Sequence, residues 1–119
     1  MAANTTTMQG RTLHIVLAGD VDWEWNSSTE ITSVPQLSEL SALGRIYIDS
    51  ITFEPNAAGD KVKIREGSLT GPIFFEASAG DTYDQRTKDF FGKDFQGIFI
   101  DKDDTTSDSD AASVQIILA

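Results

Sequence analysis

The sequence predicts an all-β fold: a single compact antiparallel β-sandwich or jelly-roll-like barrel, with an extended N-terminal arm and at most one short helix. Apolar and polar residues alternate at period two in several short segments, which is typical of half-buried strands. The length of 119 residues suits one domain. A phase break in one alternating segment indicates a bulged, curved strand. We expect the arm to span residues 1–11 and the sandwich domain residues 12–119.

The alternating segments occur along most of the chain. The apolar positions that share a face in them are Leu13, Ile15 and Leu17; Val62 and Ile64; and Val114, Ile116 and Leu118. Two continuous apolar runs, at 72–75 and 97–100, are typical of strands that are buried on both faces.

The phase break lies within residues 44–55. Ile46 and Ile48 share one face, but the next apolar pair, at 51 and 53, follows an odd number of residues later. A β-bulge near Asp49 and Ser50 would return both pairs to the core, and bulges let small sandwiches and barrels turn corners.

Three other stretches complete the prediction of elements. Residues 61–77 read as a hairpin, and residues 81–92 are ambiguous between a helical turn and an extended strand, with extended structure favoured. Residues 33–44 suit the short helix, because a capping-box pair precedes a leucine face and a terminating glycine. These residues are Ser33 and Gln36, then Leu37, Leu40 and Leu43, then Gly44.

The charge excludes several classes of function. Acidic residues outnumber basic ones 19 to 9, for a formal net charge of -10. This balance argues against nucleic acid and anionic membranes as partners, and it favours either a basic partner surface or simple solubility. No apolar run approaches the roughly 20 residues of a membrane span, and the first residues lack the apolar core of a secretory signal. Without cysteine the chain has no disulfides or thiolate metal sites, and we predict no cofactor.

The segment DKDDTTSDSD, residues 101–110, raises the possibility of a calcium site. Its candidate ligands are Asp101, Asp103, Asp108 and Asp110. Calcium loops need six to eight oxygen ligands and usually a glycine at the sharp turn and a closing glutamate. The segment contains neither, which favours a solvated loop between strands at 95–101 and 112–118.

Trp23 and Trp25 alternate with acidic residues in the segment GDVDWEW. A strand here would place both indole rings on one face. That face is either an aromatic platform for a sugar or a protein partner, or the edge of the hydrophobic core. The core is favoured, because a small domain needs large side chains to fill it.

No catalytic arrangement emerges from the sequence. His14 is the only histidine, and no G-x-S-x-G segment is present, so we predict that the protein is not an enzyme. The polar residues 1–11 would be disordered alone or would order on a neighbour. The candidate partner contacts in this arm are Thr5, Thr6, Thr7 and Arg11, with Trp23 and Trp25 beyond it.

From Ile46 onward the chain resembles small structural proteins encoded among the virion genes of tailed bacteriophages. The features that carry the resemblance are Ile51–Phe53, the turn Gly59–Asp60, the segments Val62–Gly67 and Gly71–Glu76, Gly92, Ile98–Asp101 and Ser113–Ile117.

The resemblance implies a compact β-sandwich or barrel that sits on a capsid or tail and has no enzymatic role. It makes a head decoration or cement protein the leading hypothesis. It also implies that the partner is the major capsid protein or another virion protein, and that the chain forms a homo-oligomer on the particle. No nucleic acid or membrane is expected as a partner. The protein would be made in the host cytoplasm and would then lie on the capsid surface. The alternative is a tail, receptor-binding or carbohydrate-binding module that uses Trp23 and Trp25.

Overall fold

The structure is a computed structural model. It describes residues 5–17, 22–25, 41–42, 45–56, 59–78, 86–101, 105 and 112–119, with the backbone alone at 41–42. These residues form strands and turns without a helix. The strands are β1 Thr5–Gln9, β2 Thr12–Leu17, β3 Trp23–Trp25, β4 Ser41–Ala42, β5 Arg45–Glu54, β6 Lys61–Arg65, β7 Ile73–Ser78, β8 Arg86–Phe95, β9 Ile98–Ile100 and β10 Ala112–Leu118.

The strands form two antiparallel sheets, as predicted. The first sheet runs β1-β2-β10-β5, and β4 pairs with the start of β5. Strand β5 pairs with β10 and with β8 over largely the same residues, so these two strands lie on opposite sides of it. The second sheet runs β3-β9-β6-β7, and the predicted hairpin at 61–77 is confirmed as β6 and β7.

Both sheets contribute to one hydrophobic core. The alternating segments place their apolar residues inward as predicted: Leu13, Ile15, Val62, Ile64, Val114 and Ile116 are each fully buried. Burying a side chain of this size contributes about 1.5–3 kcal/mol relative to leaving it exposed. Trp23 and Trp25 belong to the same core, at 5% and 2% exposure.

The predicted bulge in β5 is confirmed at Asp49. On β10, Ile117 and Leu118 pair with Ser50 and Ile48, so Asp49 is an extra residue. The opposite strand β8 also departs from regular pairing, since its residues 90–92 lie between the partners of Ile48 and Ser50. The bulge therefore affects three adjacent strands.

The prediction of a separate arm over residues 1–11 is wrong from Thr5 onward. Thr5–Gln9 is strand β1, which forms a hairpin with β2 around Gly10, at a φ of 61°. The backbone carbonyl of Arg11 accepts a hydrogen bond of 2.8 Å from the amide of Leu118, and the Arg11 guanidinium donates to the carbonyl of Ala119. The sequence pattern missed this strand because Met8 is its only apolar side chain.

Two other predictions fall partly outside the described residues. Ser41 and Ala42 pair with β5 as strand β4, so a helix that reaches Leu43 is wrong at these two positions. The rest of that helix, 33–40, lies outside the described residues, as do residues 81–85. Extended structure is confirmed for residues 86–92, which belong to β8.

Candidate functional site

The outer surface of β1, β2 and β10 is a grid of uncharged side chains, which we call the neutral face. Three rows cross the three strands, because the two registers align Thr5 with Val16 and Ser113, Thr7 with His14 and Gln115, and Gln9 with Thr12 and Ile117. Ser113 itself is buried, at 7% exposure. Opposite residues in a sheet project from the same side. Neighbouring strands lie about 4.8 Å apart and alternate residues about 6.8 Å apart, so the grid spans about 10 by 14 Å.

The middle row of the neutral face continues across the sheet without a charged residue. Gln115 pairs with Thr52 of β5, and Thr52 pairs with Thr87 of β8. The hydroxyls of Thr52 and Thr87 lie 3.0 Å apart, within hydrogen-bond distance. This row therefore crosses five of the six described strands of the sheet, β1, β2, β10, β5 and β8, with hydroxyl, amide and imidazole groups.

A shallow depression of about 400 Å³ lies on the neutral face. It is lined by Thr7, Gln9, Thr12, His14 and Gln115. Every one of these side chains can donate or accept a hydrogen bond, and none is acidic. The surface is suited to neutral polar groups of a partner rather than to ions.

An apolar end adjoins the neutral face at the bulge, formed by Tyr47, Phe91 and Ile117. Their exposures are 39%, 88% and 41%. The amide of Ala119 donates to the carbonyl of Tyr47 at 2.9 Å, which ties the end of the chain to β5. The three residues lie on the neighbouring strands β5, β8 and β10, and exposed aromatic residues are typical anchors of protein interfaces.

Phe91 has the left-handed backbone conformation, with a φ of 56°. This conformation costs a non-glycine residue roughly 1–2 kcal/mol. Gly92 follows with a φ of 81°, and a Cβ there would lie 3.6 Å from the Cβ of Ala119. The strained backbone holds an aromatic ring in solvent, where the ring adds nothing to the core.

The predicted partner contacts divide between the two sides of the first sheet. Thr5 and Thr7 lie on the neutral face, whereas Thr6 points inward and accepts a 2.8 Å hydrogen bond from Trp23 Nε1. Arg11 is occupied in holding Ala119. The aromatic platform predicted as an alternative is wrong for Trp23 and Trp25, because a stacking platform needs exposed rings.

Sequence reasoning missed Tyr47, Phe91 and Ile117. The available signal was the triplet Phe90-Phe91-Gly92, since two adjacent phenylalanines in a strand cannot both face the same side. Phe90 packs against the core and Phe91 does not.

One ion pair adjoins the apolar end, because Asp94 is the cross-strand partner of Tyr47. Arg45 of β5 donates to Asp94 of β8, and the side chains are 42% and 41% exposed. The hydrogen bond from Arg45 holds the pKa of the Asp94 carboxyl below its ordinary value.

The described residues do not test the predicted calcium site at 101–110. Asp103, Asp108 and Asp110 lie outside the described residues, and Asp101 alone is described. Within the described part of the chain, no group of three or more acidic or histidine side chains is arranged to hold a metal ion. In the same part, no helix has the length and apolar character that crossing a membrane requires.

Comparison with protein-family models gives no match. Comparisons with curated protein sequences and with solved structures also give none.

Proposed function

We propose that this chain is a structural protein of a tailed-phage virion, a decoration or cement protein that binds the head lattice through the neutral face and its apolar end. The proposal includes a jelly-roll-like sandwich, the major capsid protein as partner, a homo-oligomer on the particle and a place on the capsid surface. The resemblance of the chain from Ile46 onward supports the assignment to a virion.

The observation that carries the contact surface is Phe91, which is exposed and strained beside an uncharged grid. Backbone strain persists only where the surrounding structure enforces it, and it concentrates at sites with a function. An exposed aromatic ring supplies a large apolar area to a partner.

The absence of charged side chains from the neutral face also supports its assignment as the contact surface. A carboxylate or ammonium group that enters an interface loses its hydration, which costs several kcal/mol unless it finds a partner. Hydroxyl and amide groups lose less, and they exchange water for groups of the partner. The cores of protein interfaces are accordingly depleted of charged residues and enriched in Tyr and Phe.

The acidic remainder of the molecule has a separate use in this proposal. The formal net charge of the whole chain is -10, and this negative charge would keep decorated particles apart. Bound copies would add buried apolar area across subunit boundaries, where internal pressure pulls the shell apart.

The test is binding to purified heads that lack this protein, with purified tails as a second substrate. Thr7→Glu places a carboxylate in the middle row of the neutral face and should weaken binding to heads at least tenfold, which corresponds to about 1.4 kcal/mol. Thr70→Glu is the matched control, because Thr70 is an exposed threonine in the β6–β7 loop. It should bind as the wild type does.

Cosedimentation of labelled protein with heads gives the bound fraction. Wild-type protein that binds neither heads nor tails would refute the virion assignment. Equal loss in the two variants would refute the neutral face as the contact surface, and binding to tails alone would refute the head position.

A further inference from the structure

A groove lies between the outermost strands of the two sheets, on residues that the neutral face does not include. Strand β7 ends the second sheet and β8 borders the first. The groove has a volume of about 500 Å³, within the range of ligand-binding clefts. Its lining includes Ile73, Phe74, Glu76, Arg86, Thr87 and Lys88.

Phe74 lines this edge groove and belongs to a cluster of three phenylalanines beneath it. Phe74 of β7 stacks on Phe95 of β8, with ring centroids 4.0 Å apart. Phe90 meets Phe95 edge-on at 5.1 Å and Phe74 edge-on at 5.9 Å. Stacked and edge-on contacts therefore join the three rings into one aromatic cluster.

Three cations of β8 stand beside this cluster: Arg86 and Lys88 line the groove, and Lys93 lines an adjoining cavity with Phe90. They pair in register with Phe53, Ile51 and Ile48, whose side chains are buried, so they project from the core-facing side of the sheet at its edge. Lys88 Nζ lies 5.2 Å from the centroid of Phe90, and Lys93 Nζ lies 5.4 Å from that of Phe95.

These cations have no ion-pair partner among the described residues. Three carboxylates lie near these cations: Glu76 lines the groove itself, and Glu66 and Asp89 line the adjoining cavity. Glu76 lies 3.8 Å from Lys63, and Glu66 accepts a 2.9 Å hydrogen bond from the amide of Gln96. Asp89 pairs with Ser50 and alternates with Lys88 along β8, and it lines the adjoining cavity at the strand edge.

Charge is unevenly distributed along this acidic chain. Strands β6, β7 and β8 contain six of the nine basic residues and only three of the nineteen acidic ones. These three strands therefore carry a positive net charge in a molecule whose formal net charge is -10. An acidic ligand is attracted to this side and repelled by the rest of the surface.

The backbone of β8 offers a second means of recognition. Among the described strands, β8 pairs only with β5, which leaves its other edge available for a further strand. Inward-pointing charges at a sheet edge normally prevent pairing with other chains. Cations prevent it for neutral or basic segments, and they favour it for acidic ones.

We propose that the edge groove binds an extended acidic segment of a partner protein, which adds to the sheet as a strand along β8. Carboxylates at alternate positions of that segment pair with Arg86 and Lys88. An apolar side chain two positions further along packs on Phe90. Strand addition combines backbone hydrogen bonds, which supply affinity, with alternate side-chain contacts, which supply specificity.

The test measures binding of end-capped ten-residue peptides to the full-length protein by fluorescence anisotropy at low ionic strength. The probe alternates Glu and Thr. A first control has the same composition with the glutamates in one block, and a second has the probe sequence with N-methyl groups at alternate amides. We expect the probe to bind at least tenfold more tightly than either control, and its affinity to fall as salt rises.

Protein variants locate the binding site. Arg86→Glu/Lys88→Glu should lower the affinity for the probe at least tenfold, and far-ultraviolet circular dichroism confirms that the variant is folded. Lys61→Glu is the control, because Lys61 is an exposed lysine of β6 that does not line the groove. It should leave binding within about twofold of the wild type, a difference of about 0.4 kcal/mol.

Each remaining outcome contradicts the proposal. Absence of probe binding to the wild type would refute an acidic ligand, and equal binding of the N-methylated peptide would refute strand addition. Equal loss in the Lys61 variant would refute the location. If the wild type alone self-associates, and Arg86→Glu/Lys88→Glu abolishes this, the occupant is a second copy rather than a separate partner.

Discussion

The neutral face and the edge groove come from the same alternation of side chains but differ in charge. Rows of the neutral face combine Thr, Gln, Ser and His across paired strands. The groove combines cations and phenylalanines where two sheet edges meet. A flat, uncharged face can become the interior of a large contact, whereas a charged cleft selects a ligand by its sign. The difference indicates that the location of a strand, on the face of a sheet or at its edge, decides which kind of ligand its exposed side chains can bind.

Removal of residues 1–9 tests whether the two regions are independent, and we expect it to have the largest effect. The deletion removes β1, one of the three strands of the neutral face, and exposes the core beside Trp23. We expect the free energy of unfolding to fall by at least about 3 kcal/mol, from lost packing of Met8 and lost hydrogen bonds. Urea denaturation measures it.

The fraction of the truncated protein that remains folded should retain the edge groove and its affinity for the acidic probe peptide. Binding of the acidic probe peptide is the internal control, since no residue of β1 lines the groove. Unchanged stability would contradict the place of β1 in the sheet, and it would restore residues 1–9 as a detachable arm.

Two adjacent threonines distinguish the inner from the outer side of β1. Thr6→Val removes the acceptor of the Trp23 indole and leaves a buried donor unsatisfied, which costs about 1–3 kcal/mol. Thr7→Val makes the same change on the exposed neutral face, and we expect an effect within about 0.5 kcal/mol. Thermal denaturation of both variants checks the contrast, and equal effects would contradict it.

The sequence predicted the core and the β5 bulge because burial itself sets the pattern. Ile46 and Ile48 differ in phase from Ile51 and Phe53, and only an extra residue brings all four inside. The same method missed β1, whose threonines carry no apolar period. That strand depends on pairing with β2 and on the contact between Thr6 and Trp23.

The candidate sites were less accessible to sequence reasoning. The neutral face requires knowledge of which strands are neighbours, since Thr7, His14 and Gln115 are distant in the chain. The groove requires Phe74 and Phe95 to meet across two sheets. Sequence alternation tells which residues share a side of a strand, but it does not specify the partner strand.

Phe91→Asn separates stability from binding at the apolar end. Asparagine tolerates the left-handed conformation better than phenylalanine does, and the ring is 88% exposed, so little packing is lost. We expect the variant to be more stable by about 1 kcal/mol, the lower part of the strain at this backbone conformation. Binding to heads should weaken at least tenfold, which corresponds to about 1.4 kcal/mol.

Urea denaturation and head cosedimentation together check this prediction. A variant that is destabilised would show that the Phe91 ring supports the fold. A variant that binds heads as tightly as the wild type would show that Phe91 is not part of the contact surface, and the proposed groove would be unaffected.

The smallest expected effect concerns Asp94, which follows Lys93 on β8 and lies on the outer side of the strand. The hydrogen bond from Arg45 lowers the pKa of Asp94 in the folded protein below its ordinary value of 3.8. The pair therefore stabilises the fold above pH 3.8, and this contribution is lost as the pH falls through the folded-state pKa. Arg45→Gln should return the pKa of Asp94 toward its ordinary value and remove that acid-side dependence, whereas Lys61→Gln should leave the titration of Asp94 unchanged. An NMR titration of the Asp94 carboxyl carbon measures both.

Because Asp94 and Lys93 project from opposite sides of β8, Arg45→Gln should not change the affinity of the acidic probe at neutral pH. A change of tenfold or more in that affinity would show that the two sides of the strand are coupled, and the neutral face and the edge groove would then have to be treated as one site.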